Sequence, residues 1–228
     1  MKKLKTATIA VTCVLAAEVI LGCIGYFKAN SYEKSIEAFS AEQTSYVQQL
    51  AEAKELEKID EQTNCYNIEA FKEIFEQKVN EMDSDSQMAL INVSFGSATN
   101  GLKFINDTYG HLYGNQTVKD FAAILKNVYS GDNYICGYNG GSNFYVLALD
   151  VKDTDMLLEK GQEFKALWHD TPLVLGDNVA ALENMALHIS ISLIPKDGTD
   201  FTELKPLLGA NKDRLREIDS FGCSFISE

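Results

Sequence analysis

The chain has 228 residues, a formal net charge of −13 and a pI near 4.7. That balance argues against a nucleic-acid partner, because phosphate contacts need clustered Lys and Arg, and any nucleotide it meets is expected to be small. Its five cysteines show no C-x-x-C and no paired spacing, and its three histidines, His111, His169 and His188, are scattered, so neither zinc nor a disulfide framework is indicated.

Residues 1–5 form a basic N-terminus, and 6–27 is apolar apart from small hydroxyl residues and Glu18. About 20 such residues cross a bilayer, so 6–27 reads as a transmembrane helix of a single-pass bacterial membrane protein, with the membrane as its first partner. Glu18, the polar residue of that helix, costs about 2.5–3.5 kcal/mol near the middle of a span and is expected to face a partner helix or be protonated. A second reading is a processed signal sequence: Ile20-Leu21-Gly22-Cys23 faintly resembles a lipoprotein site, although Leu21 and Glu18 fit it poorly. Lys2, Lys3 and Lys5 against Lys28 and Lys34 place the remainder outside by the positive-inside rule. The thiols of Cys65, Cys136 and Cys223 favour the cytoplasm instead.

Residues 28–59 read as a linker helix, clearest over 31–59, with Ile36, Phe39, Val47, Leu50, Leu56 and Ile59 among polar residues and no Gly or Pro. Gln43 and Ala53 break the heptad. A mostly polar helix of this length needs a partner, so a short coiled coil is expected, giving self-association or binding of a partner protein.

Residues 60–228 alternate helix and strand patterns and predict one α/β (α+β) domain. The expected elements are a helix over 67–82, a buried strand over 88–95, a helix over 116–129, strands over 133–138 and 143–150, a helix over 153–168, a strand over 186–195, a helix over 201–218 and a strand over 223–226. Asn139-Gly140-Gly141-Ser142, between two apolar strands, has the composition of a hairpin turn with positive φ. Asp150, Asp153 and Asp155 look like a carboxylate cluster, but their place after a strand suits a turn and a helix N-cap. Trp168 reads as a packing residue.

Four stretches lie in a meaningful order: Asp60-Glu61-Gln62-Thr63-Asn64-Cys65-Tyr66-Asn67; Phe104-Ile105-Asn106-Asp107-Thr108-Tyr109-Gly110-His111-Leu112-Tyr113-Gly114-Asn115; Gly140-Gly141-Ser142-Asn143-Phe144; and Ile194-Pro195-Lys196-Asp197-Gly198-Thr199-Asp200. They resemble the opening turn, the F-K-x-I-N-D-x-x-G-H-x-x-G-D segment, the signature hairpin and the late turn of the GGDEF (diguanylate cyclase-like) family. The resemblance implies a nucleotidyl-cyclase-like fold, a central mostly antiparallel sheet flanked by helices. It also implies a chemistry: two GTP molecules on facing domains, each 3′-hydroxyl attacking the other's α-phosphate, with Mg²⁺ held by carboxylates from the first strand and the hairpin.

The matching positions here are Asn92, Ser94, Ser142 and Asn143, all neutral, so the resemblance implies neither a catalytic set nor a metal site. Vestigial nucleotide-binding positions would be Asn106, Asn115, Gly140 and Gly141, with Asn115 standing where the family has an aspartate that accepts from guanine. The family's last-helix lysine falls at Ile218 or Asp219, and its product-binding R-x-x-D falls on Gly131-Asp132-Asn133-Tyr134. An insertion, Phe95-Gly96-Ser97-Ala98-Thr99-Asn100-Gly101, is expected to reshape the pocket mouth. Asn106, Asp107, Gly110 and Gly114 are better accounted for as residues that hold a strand-to-helix turn than as a retained GTP site. The expectation is a catalytically inactive GGDEF-like module that binds a protein or, weakly, a nucleotide, and needs no cofactor. The alternatives are a diguanylate cyclase with residual or partner-completed activity, requiring Mg²⁺, and an exported envelope protein reusing the fold.

Overall fold

The structure, a computed structural model, describes residues 2–97, 101–170, 185–218 and 221–227. The chain divides into two units, Met1–Leu56 and Glu57–Glu228. The first is built by helix α1, Lys2–Glu57, whose 56 residues contain Gly22 and Gly25 but no proline to break them.

Helix α1 corrects the membrane expectation. Among the described residues no helix is long and apolar enough to cross a membrane. Glu18, inside the expected span, is exposed. The side chains of 2–17, which hold the first part of the expected span, lie outside the described residues. The single-pass membrane placement is therefore not upheld, and the envelope alternative, argued from the lysine bias across that span, loses its ground.

In the second unit the elements are β1 (Tyr66–Asn67), α2 (Ile68–Glu81), β2 (Met88–Phe95), α3 (Leu102–Tyr109), α4 (His111–Val128), β3 (Tyr134–Tyr138), β4 (Asn143–Ala148), α5 (Asp155–Asp170), β5 (Leu187–Ile194), α6 (Phe201–Ile218) and β6 (Phe221–Phe225). They form a mixed α/β fold whose six-stranded sheet has the order β1-β3-β4-β2-β5-β6. The β3–β4, β4–β2 and β2–β5 pairs are antiparallel, and the two edge pairs are parallel.

Strand β2 lies near the centre with all eight residues buried, and its alternation serves both faces. Ala89, Ile91, Val93 and Phe95 pack with Phe121 and Leu125 of α4 and Phe164 and Trp168 of α5. Met88 and Leu90 point the other way, into a core with Phe71 and Phe75 of α2 and Phe201, Leu204 and Leu208 of α6. On that second face the strand turns polar at Asn92 and Ser94, where the apolar core gives way to the site.

Two short elements fall outside the sequence expectations: α3, between the insertion and Gly110, and β1, two residues long. Strand β6 begins at Phe221, two residues earlier than its pattern suggests. Much of the landmark sequence holds turns. Asp60 Oδ1 accepts from the Thr63 amide and hydroxyl, Asn67 caps α2 through Ala70 N, and Asp200 Oδ1 accepts from the amides of Thr202 and Glu203. Asp153 Oδ1 accepts from Asp155 N at 2.9 Å, in the turn that leads into α5.

Candidate functional site

The β3–β4 connection carries Gly140 at φ 85° and Gly141 at φ 60°, the left-handed region in which a Cβ is costly. Asn139 N donates to Asn143 O at 3.0 Å, Asn143 N to Gly140 O at 3.2 Å, and the Tyr138 hydroxyl to Gly141 O at 3.2 Å, which closes the turn. Phe95 N donates to Ser142 O at 3.3 Å and ties the turn to the end of β2.

Antiparallel register then sets the side chains. Ser94 lies opposite Asn143 on β4 and opposite His188 on β5, while Asn92 lies between Tyr145 and Ser190. Directly opposed residues share a face at close range, so β2 and the hairpin bring Asn92, Ser94 and Asn143 together. Asn92 is buried and donates from Nδ2 to Phe144 O at 3.0 Å, leaving its Oδ1 without a partner. Ser94 is fully buried and its Oγ has no partner.

Helix α6 covers this face with cations. Lys212 Nζ donates to Asn143 Oδ1 at 3.1 Å, and Lys205 Nζ donates to Asn139 Oδ1 at 3.2 Å, so two lysines hold the hairpin from one helix. Burial of Lys212, together with the nearby Arg216 guanidinium, pushes its pKa below the usual lysine value, with Asp213 acting the other way. The atoms gathered at the hairpin and β2 are thus amides, hydroxyls and an ammonium. Among the described residues no group of three or more His, Cys, Asp or Glu is placed to hold a metal.

Beside the hairpin opens a cleft of about 500 Å³, lined among others by Gly141, Ser142, Asn143, Asn106, Asp107 and Lys103, with Arg216 on the α6 side. The two ends of the insertion form part of its wall, with Gly101 close to Gly96 and Ser97; residues 98–100 lie outside the described residues. Asn106 sits at the second turn of α3 with its Oδ1 buried and unpartnered. Asn115 is exposed and is not part of the lining; its carbonyl accepts from Gln62 Nε2 at 3.2 Å. Of the expected nucleotide positions the fold therefore brings Asn106 and Gly141 to one cleft, together with Ser142 and Asn143 of the expected metal positions. Gly140 adjoins it, Asn92 and Ser94 lie buried in the sheet, and Asn115 stands apart. Glu18 belongs to the other unit.

Gly131, at φ 94°, leads a turn into β3 and lines a separate hollow with Lys126, Tyr129 and the thiols of Cys65 and Cys136. Sequence reasoning missed Lys205, Lys212 and Arg216. Their spacing of seven and then four marks one helix face, but only the packing of α6 shows that this face meets the hairpin. Ile218 and Asp219, the expected lysine positions, have no described side chains.

The family model for the diguanylate cyclase GGDEF domain matches residues 57–206. No curated protein matches the chain. Among solved structures, the coiled coil and GGDEF domain of DgcB from Caulobacter crescentus, in complex with c-di-GMP, is similar at a TM-score of 0.67 and 19% identity, covering 83% of this chain and 98% of that one. Diguanylate cyclase SiaD from Pseudomonas aeruginosa, in complex with its activator SiaC, is similar at 0.65 and 14% identity, covering 98% of this chain and 83% of that one. The GGDEF domain of FimX from Pseudomonas aeruginosa is similar at 0.62 and 13% identity, over 73% of this chain and 99% of its own. At such identities these likenesses speak for the fold.

Proposed function

The chain belongs to the diguanylate cyclase GGDEF-domain family, and from that premise we propose that it is a member that makes no cyclic di-GMP and serves as an interaction or regulatory module. The module comprises residues 60–228, and the helix over 28–59 is its pairing segment. The observation that carries this reading is the contact of Lys212 Nζ with Asn143 Oδ1. Mg²⁺ needs hard anionic oxygens, and a fixed ammonium on a neutral amide opposes a divalent cation where the family relies on one. Asn92, Ser94 and Ser142 offer no carboxylate to offset it. These residues do not fit the metal.

A partner-binding role is supported by SiaD, a GGDEF-fold protein whose structure holds its activator SiaC. Pairing through α1 is supported by its exposed apolar residues, among them Ile36, Phe39, Val47 and Leu50.

The test is incubation of the full chain with GTP and Mg²⁺ or Mn²⁺, with cyclic di-GMP quantified by chromatography and mass. No product above a protein-free blank is expected, and product would sink the proposal in favour of a cyclase. Adding an active GGDEF protein tests for activity completed by a partner: here too, no product beyond that protein's own is expected.

A further inference from the structure

We propose that the thiols of Cys65 and Cys136 hold one soft monovalent cation, Cu(I), in two-coordinate fashion where β1 meets β3, apart from the hairpin. The site goes beyond the reading of the hairpin and does not depend on it.

Strand register brings the two sulfurs together. In the parallel β1–β3 pair Tyr66 lies opposite Gly137 and Asn67 opposite Tyr138. Cys65 and Cys136 each stand one residue earlier. Side chains alternate along a strand, so both cysteines point away from the face that carries Tyr66. The packing agrees: both sit in the core built on Phe121 and Phe144, whereas Tyr66 and Ile135 pack in the other. Both thiols are free, and both line the hollow of about 430 Å³ beside the turn at Gly131.

Their spacing suits an ion held between them. Neighbouring strands lie about 4.8 Å apart, and a disulfide has to draw its Cβ atoms in to about 3.8 Å. Two thiolate–metal bonds of about 2.3 Å set in line span about 4.6 Å, close to the strand separation. Zinc would ask for four donors, whereas soft thiolates select Cu(I).

Charge is matched as well. Lys126 lines the same hollow, its Nζ donates to Asn64 O at 3.1 Å, and its ammonium favours the thiolate form of both cysteines. On binding, each thiol gives its proton to solvent and each sulfur donates a lone pair to the ion. Two protons therefore leave per Cu(I), and no electron is transferred. Two thiolates, one Cu(I) and the Lys126 ammonium sum to zero, as burial favours. Among the described residues Asp60, Tyr66, Tyr129, Asp132 and Tyr134 are the other titratable groups at the pair or in the lining.

Anaerobic titration of the full chain with Cu(I), with bicinchoninate as the competing chelator, tests this. One ion per chain is expected, with protection of Cys65 and Cys136, and not of Cys13, Cys23 or Cys223, from alkylation mapped by mass spectrometry. The urea midpoint should rise with the ion, because a ligand of the folded state stabilises it. Cys65→Ala and Cys136→Ala are each expected to weaken binding about a hundredfold or more, and Lys126→Gln about tenfold. Cys223→Ala should leave it unchanged. If the variants at the pair fail to fold, the alkylation map and urea midpoint of the unaltered chain decide. Absence of binding, protection that falls on other cysteines, or a urea midpoint lowered by the ion overturns the inference. None of these outcomes bears on cyclic di-GMP synthesis, which is read separately.

Discussion

Asn106 of α3 lays its amide oxygen against the bare Cα of Gly114 in α4, where a Cβ would overlap it. The glycine is therefore fixed by a side chain and not by its own backbone angle. Gly114→Ala gains up to about 1 kcal/mol in helix propensity but forces the buried amide out, at about 1–3 kcal/mol for overpacking. A net loss of about 1–2 kcal/mol is expected, read as a lower urea midpoint. Adding Asn106→Ala removes the overlap, so the double variant should be more stable than Gly114→Ala alone; strict additivity would contradict the contact.

Restoring carboxylates should be costly before it is useful. Asn92→Asp replaces the N–H donor to Phe144 O with a second acceptor in a buried place, and a loss of at least about 2 kcal/mol is expected in denaturant unfolding. With Asn143→Glu and Lys212→Ala added, Mn²⁺ binding should become measurable by calorimetry, while Asn143→Glu alone should stay silent because Lys212 neutralises it. Mn²⁺ binding to the unaltered chain would contradict the assignment.

The hairpin glycines make a separate prediction. Gly140→Ala and Gly141→Ala each place a Cβ at positive φ and should cost about 1–2 kcal/mol, with the loss confirmed by thermal unfolding. Neither glycine has neighbours that a Cβ would strike, so backbone strain alone sets the effect.

Alkaline pH should weaken the domain through two thiols. Burial pushes Cys65 up from 9.0 to about 11 and Cys136 up to about 12, with Cys65 adding to the latter. A raised folded pKa means the unfolded chain releases its proton first. The stabilisation is complete below about pH 9 and is lost as pH climbs from there toward 11–12, on the order of a few kcal/mol in all. Urea midpoints at pH 8 and pH 10 should therefore differ clearly, and Cys136→Ala should flatten that slope.

Helix α1 exposes Ile36, Phe39, Val47 and Leu50 at about 60–70% of their full surface. Light scattering on the full chain should report a mass above the monomer's 25.3 kDa, and Phe39→Glu with Leu50→Glu should return it to the monomer value. A monomeric unaltered chain would remove the pairing role.

Strand β2 and helix α6 were legible residue by residue. An apolar run interrupted only by Asn92 and Ser94, and a 3.6-residue period, leave little choice of boundary. Helix α3 was not: its eight residues end at Gly110, φ 93°, and their Asn-Asp-Thr composition reads locally as a turn. Strand β1 has only two residues, too few for any period, and exists because β3 offers it an edge. The membrane expectation rested on hydropathy alone, and among the described residues no helix is long and apolar enough to cross a membrane.

By itself the sequence determined the family landmarks, the neutral residues at Asn92, Ser94, Ser142 and Asn143, and the glycine turn that ends in them, because residue type and spacing carry that information. Only the tertiary structure decided what those residues face. Lys212 reaches Asn143 across 69 positions of chain, and Asn106 reaches Gly114 across a helix boundary. Such contacts follow from how α6 and α4 pack on the sheet, and a pattern of period 3.6 names a helix face without naming what it meets.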